Sequence, residues 1–120
     1  MKGHKKRGIG LRYALNGIKE AFVHERNIRI HLIATILVVS AGVFFSLTAV
    51  EWLFVLFAIQ LVIITELINS TIERMIDYFK PELHPKAKVI KDMAAGSVLI
   101  AALFSVIIGM IIFLPKLLNM

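Results

Sequence analysis

A chain of 120 residues has room for one domain, and at 58% hydrophobic it is too apolar for an ordinary water-soluble fold. With no cysteine, disulfides and thiolate chemistry are excluded. The formal net charge of +6 invites a nucleic-acid reading, but the basic residues are not interleaved with a stacking aromatic face, and no nucleic-acid partner is expected.

The chain opens on a basic lead-in, KGHKKRG, with no apolar core and small-residue cleavage site behind it, so a cleaved leader is not expected. Over residues 9–28 the apolar Leu11, Ala14, Leu15, Ile18 and Phe22 recur at three- and four-residue steps, with Arg12, Asn16, Lys19 and Glu20 between them. That pattern predicts an amphipathic helix in the membrane interface, weakened at Gly17. Residues 1–29 thus form the basic N-terminus and surface helix. Residues 30–50 form a first span, whose stretch 32–50 carries no charge. A tight turn is predicted over 47–51, then a second span with a cytoplasmic extension over 52–79. Pro81 and Pro85 break the helix in a cytoplasmic loop over 80–91. A third span over 92–115 starts with Asp92 as its N-cap and ends at Pro115, and residues 93–114 carry no charge.

Eight of the 14 Lys and Arg precede Ile30, five lie from Arg74 to Lys91, and one is Lys116. By the positive-inside rule the N-terminus and the 80–91 loop are expected in the cytoplasm. Ser97, Ala101, Ser105 and Gly109 recur every four residues on the third span, a spacing that lets membrane helices approach closely and points to self-association.

The second span ends in ELINSTIERMID, residues 66–77, where Glu66, Asn69, Ser70, Glu73 and Asp77 fall on one helix face. Charged groups at membrane depth are costly, rare and usually functional. Glu66 should lie deepest, and desolvation makes a carboxylate a stronger proton acceptor, so a general base is expected there. Glu73, nearer water, suits a hard cation such as Mg²⁺, with Glu25 as a second carboxylate and Lys91 and Asp92 at the same level. Competing readings are plain. Polar residues also glue membrane helices, Arg74 and Asp77 can pair at a three-residue step, and Asp92 is a common N-cap type. A proton-coupled transporter subunit using Glu66 is the alternative from another class. No GxxxxGK[ST] loop, HExxH motif or histidine ligand set is present.

ELINSTIERMID resembles the signature E-x-x-N-[ST]-x-[IV]-E-x-x-x-D of the prokaryotic diacylglycerol kinase family. HPKAKVIKDMAAGSV (84–98) is similar to the segment that follows it there, and ERNIRIH (25–31) to an element of the Gram-positive branch, whose members act mainly as undecaprenol kinases. The resemblance covers essentially the whole chain. It implies an all-α integral membrane protein, a surface helix followed by three transmembrane helices, assembled as a homotrimer with sites shared between subunits. The implied reaction moves the γ-phosphate of MgATP to a lipid alcohol, undecaprenol or, as the alternative, diacylglycerol. Carried over by position, Glu66 is the base, Asn69 orients groups beside it, and Glu25 and Glu73 hold Mg²⁺ on ATP. Lys91 and Asp92 meet the nucleotide phosphates or ribose, Lys6 a phosphate, and Glu82, Leu83, His84 and Tyr13 the adenosine end. Leu15, Ile18, Phe22 and Ala95 are expected beside the acceptor lipid. His31 stands where Gram-negative diacylglycerol kinases carry glutamate, and Ala14 and Leu15 replace a Ser-Trp pair of their lipid site.

Overall fold

The computed structural model describes residues 7–79 and 85–120, which form four helices: α1 (Arg7–His24), α2 (Arg26–Phe44), α3 (Ala49–Phe79) and α4 (Pro85–Leu118). The last three are each long and apolar enough to cross a membrane, which makes this a multi-pass membrane protein. At about 1.5 Å per residue, the 31 residues of α3 and 34 of α4 run about 46 and 51 Å, against about 30 Å of hydrocarbon. Both helices therefore carry polar residues beyond the apolar layer.

The seam between α3 and α4 follows from spacing. Ala87, Ala94, Ala101 and Ile108 are buried at seven-residue steps on α4, and Val55, Ala58, Val62, Glu66 and Asn69 at three- and four-residue steps on α3. Helices with that period pack side by side at a shallow angle, and the alanines bring the backbones close. Ser105 Oγ donates to the carbonyls of Ala101 (2.9 Å) and Ala58 (3.1 Å), the latter across the seam. Of the four small residues singled out on the third span, Ala101 and Ser105 are thus used within the chain, while Ser97 is exposed. At the end far from ELINSTIERMID, the seam closes over Leu47, Val55, Ala58, Ile108 and Ile112, with Trp52, Phe45 and Phe113 packed against them.

Several boundaries differ from those expected. The first span ends at Phe44 instead of residue 50, and the turn occupies residues 45–48 instead of 47–51. Ser46 takes a left-handed conformation (φ 54°), its N–H bonds Val43 O, and Leu47 N–H bonds Gly42 O, both at 3.2 Å. That is a Schellman ending, with Leu47 folded back over Gly42. Thr48 and Glu51 then start α3 as a capping box: Thr48 N–H donates to Glu51 Oε1 at 2.9 Å and Glu51 N–H to Thr48 Oγ1 at 3.2 Å. A Cβ on Gly42 would lie 2.6 Å from Trp52 Cη2 and 3.0 Å from Leu47 Cδ1. Gly42→Val should therefore destabilise the fold by about 1–3 kcal/mol of overpacking and lower the midpoint of thermal unfolding in detergent. An unchanged midpoint would mean that the indole swings aside without cost.

The third span starts at Pro85, inside the expected loop, instead of Asp92. Proline suits the first helical position, where its fixed φ is pre-set and its missing N–H has no partner to lose. Asp92 consequently lies about two turns inside α4 and pairs with Lys88 at 2.7 Å instead of capping. Pro115 does not stop the helix either, since α4 runs to Leu118; so near its end the ring costs one carbonyl partner. The single helix expected over 9–28 breaks at Glu25, whose backbone is extended (φ −106°, ψ 110°). Arg29 Nη1 donates to the carbonyls of Phe22 (3.2 Å) and Val23 (2.7 Å), satisfying acceptors that the end of α1 leaves open. On α1, Ala21 is buried, and Leu11, Leu15, Ile18 and Phe22 are exposed.

Candidate functional site

Glu66, Asn69 and Ser70 are 3%, 6% and 4% exposed, continuing the seam that Val55, Ala58 and Val62 begin. The helix period that buries apolar side chains in one half of α3 thus buries a carboxylate and a carboxamide in the other. A buried carboxylate needs partners. Here Ser70 Oγ stands 3.5 Å from Glu66 Oε2 and His31 Nε2, from α2, stands 3.6 Å from Oε1. Both contacts are long, leaving room in the geometry for a group with a shorter one. Asn69 Oδ1 is buried with no hydrogen-bond partner among the described residues. Orphaned buried acceptors are rare, and a water, an ion or a ligand group can complete the bonding of such an atom.

Burial then falls along the stripe, in the order read from spacing. Glu73 is half-buried and Asp77 exposed. The Arg74–Asp77 pair, raised as a competing reading at the three-residue step, does not form. Arg74 turns to the junction of α1 and α2, where Nε and Nη2 reach Glu25 Oε2 at 2.9 and 2.7 Å and Nη1 reaches Glu20 Oε2 at 3.3 Å. A guanidinium fork on two carboxylates outweighs one local surface pair. Asp77 instead pairs across the seam with Lys91, at 2.9 Å. Lys91 is therefore present at this level of α4 with part of its charge already used.

Two hollows flank these residues. One is an apolar groove of about 370 Å³ between α2, α3 and α4, lined among others by Ala34, Val38, Val62, Ser105 and Phe113, with His31 among its walls. The other is a cleft of about 270 Å³ where Gly17, Glu20, Ala21 and Glu25 face Ser70 and Arg74. The strip of α1 turned toward α3 is thus Gly17, Glu20 and Ala21. Leu15, Ile18 and Phe22, expected beside the acceptor, lie exposed on another strip, and Tyr13 and Ala95 are exposed as well; none of the five lines either hollow. Lys6, Glu82, Leu83 and His84 lie outside the described residues. Neither His31 nor Arg74 was assigned a role in the site from the sequence: His31 was noted only as standing where Gram-negative relatives carry glutamate, and Arg74 only as a candidate surface partner of Asp77.

Among the described residues no three His, Cys, Asp or Glu cluster in the manner of a self-contained metal site. Glu66, Asn69 and Glu73 on α3, and Glu25 at the α1–α2 junction, nonetheless offer hard oxygens. Glu73 makes no hydrogen bond among the described residues and acts on Lys91 through its charge, Glu25 is gripped through Oε2 alone, and Asn69 Oδ1 is unsatisfied. Oxygen donors of this kind are what Mg²⁺ takes, with one or two carboxylates beside phosphate oxygens and water.

Comparison with known proteins gives a consistent result. The family model for prokaryotic diacylglycerol kinase matches residues 12–113. An undecaprenol kinase of Bacillus subtilis is 40% identical over 105 residues, which cover 88% of this chain and 85% of that one. A diacylglycerol kinase of Synechocystis is 37% identical over 113 residues, 93% of this chain and 65% of the longer relative. A diacylglycerol kinase of Escherichia coli is 30% identical over 95 residues, 79% of this chain and 78% of its own.

Proposed function

The chain belongs to the prokaryotic diacylglycerol kinase family, and from that membership we propose that it transfers the γ-phosphate of MgATP to undecaprenol, with Glu66 as general base. The observation that carries the assignment of the base is the burial of the Glu66 carboxylate at 3% exposure, flanked by His31 and Ser70 at 3.6 and 3.5 Å. The acceptor is chosen on the undecaprenol kinase relative, and the apolar groove that reaches His31 suits a hydrocarbon chain. Diacylglycerol remains the second acceptor, since other relatives carry that name.

The acceptor enters sideways from the bilayer with its hydroxyl at Glu66, and ATP arrives from the cytoplasm. The hydroxyl oxygen attacks the γ-phosphorus in line, its proton passes to Glu66, and the bond to the β–γ bridging oxygen breaks to release ADP. Positioning and charge neutralisation do most of the catalysis in such transfers. Mg²⁺, held by Glu25 and Glu73, would neutralise phosphate charge and align the nucleotide. Asn69 orients groups beside the base, and Lys91 and Asp92 serve the nucleotide. The cytoplasmic orientation and a homotrimer with shared sites belong to the same reading. The exposed Leu15, Ile18 and Phe22 of α1 and the exposed Ile100, Leu103 and Ile107 of α4 supply apolar surface for bilayer and neighbouring subunits.

The test is phosphate transfer from radiolabelled MgATP to undecaprenol and diacylglycerol side by side in mixed micelles. Preferential transfer to undecaprenol is expected. Preference for diacylglycerol would correct the acceptor, and no transfer to either by folded protein would end the kinase reading.

A further inference from the structure

Glu25 sits at the break between α1 and α2, in the N-cap position of α2, yet its side chain makes no capping bond. Its carboxylate is turned instead toward α3 and held there by Arg74, the residue next to Glu73. All the contacts of that guanidinium with Glu25 fall on one oxygen: Nε at 2.9 Å and Nη2 at 2.7 Å, both to Oε2. Its remaining arm, Nη1, is anchored on Glu20 Oε2 at 3.3 Å, and Glu20 is itself paired with His24 at 3.0 Å. Two features follow from this geometry. Glu25 Oε1 is left clear of the arginine, so the grip orients the carboxylate without covering both oxygens. The anchor on Glu20 keeps the guanidinium in place if the charge on Glu25 is shared with another cation.

We propose that Arg74 is a positioning residue of the metal–nucleotide site, fixing the Glu25 carboxylate against α3 at the level of Glu73 while bracing itself on Glu20. The proposal rests on the lipid-kinase reading, in which Glu25 and Glu73 are the metal's protein ligands. The arginine acts through Glu25 and touches neither lipid nor, in this role, the reacting atoms. Without it, Glu25 hangs from an extended residue between two helices, free to turn to solvent, and must be ordered anew by each incoming metal–nucleotide complex. Partners that orient metal ligands typically contribute about 10–100-fold to metal affinity.

The experiment titrates Mn²⁺ with a non-hydrolysable ATP analogue into the purified protein in detergent, read by electron paramagnetic resonance, together with steady-state kinetics. Arg74→Ala should weaken binding about tenfold and raise the KM for MgATP, leaving the KM for the lipid alcohol unchanged. Arg74→Lys keeps the charge but cannot fork between two carboxylates, so it should fall near the alanine variant. Glu20→Gln, which loosens the brace without touching Glu25, should weaken binding in the same direction by about threefold. Glu25→Gln is the control. If it weakens binding while Arg74→Ala and Glu20→Gln bind as the parent does, the positioning role is wrong and the ligand assignment stands. If Glu25→Gln also binds as the parent does, the ligand assignment itself fails. Tighter binding by Arg74→Ala would show that the arginine competes with the metal, overturning the proposal. Should Arg74→Ala fail to fold, Arg74→Lys and Glu20→Gln decide by the same titration, since a strap that merely held α1 in place would loosen in hydrogen exchange without moving the metal's affinity.

Discussion

Glu66→Gln should cut phosphate transfer by about 10²–10⁴-fold, the usual contribution of a general base, and leave binding of the nucleotide close to that of the parent. Glutamine has nearly the same shape and can still meet His31 and Ser70, which stand 3.6 and 3.5 Å from the carboxylate. What it lacks is basicity. Because the site is 3% exposed, exchanging a charge for a neutral amide there should not lower stability, as isolated buried charges are the costlier of the two. Loss of activity with an unchanged unfolding midpoint in detergent would thus assign the loss to chemistry. Transfer within about tenfold of the parent would remove Glu66 from the role of base.

Glu73→Gln is expected to be nearly as severe for a different reason. A metal that clamps phosphate oxygens contributes several kcal/mol of charge stabilisation, so losing one of two carboxylate ligands should lower kcat/KM for MgATP by about 10²-fold or more. Raised Mg²⁺ should restore part of the activity of this variant and none of that of Glu66→Gln. The two carboxylates lie seven residues, about two turns, apart on α3. A divalent-cation titration of both variants therefore separates a proton acceptor from a metal ligand on one helix. Equal rescue of both, or of neither, would refute the division of roles.

Much of this arrangement was legible in the chain, and the reasons are physical. Spans of about 20 uncharged residues leave little choice in a bilayer. The period that places Val55, Val62 and Asn69 at seven-residue steps also predicted one face for Glu66, Asn69 and Ser70. What escaped was decided either at single backbone positions or over long separations. The Thr48–Glu51 capping box was written in the sequence and passed over, because the apolar run through Val50 suggested a longer first span. The break at Glu25 has no comparable local signal, since glutamate fits a helix interior well. For Arg74 the sequence offered only a competing reading, a surface pair with Asp77 three residues away, whereas its partner lies 49 residues upstream. Those two meet only because the junction of α1 and α2 lies beside α3. His31 has the same history, since its place beside Glu66 exists only once α2 lies on α3.

The turn between α2 and α3 bears on how such a chain is made. With the orientation proposed above, residues 45–48 and the start of α3 must be carried across the membrane during insertion, through a region where bare peptide groups have no water to bond. The Schellman ending uses the N–H groups of Ser46 and Leu47, and the capping box uses those of Thr48 and Glu51, all within ten residues of one another. One side-chain charge, on Glu51, travels with them, already bonded to the Thr48 N–H; Lys116 closes on it at 3.2 Å after α4 is in place. Because the Schellman and capping-box bonds are all local, the α2–α3 hairpin can complete its leading tip before it enters the lipid.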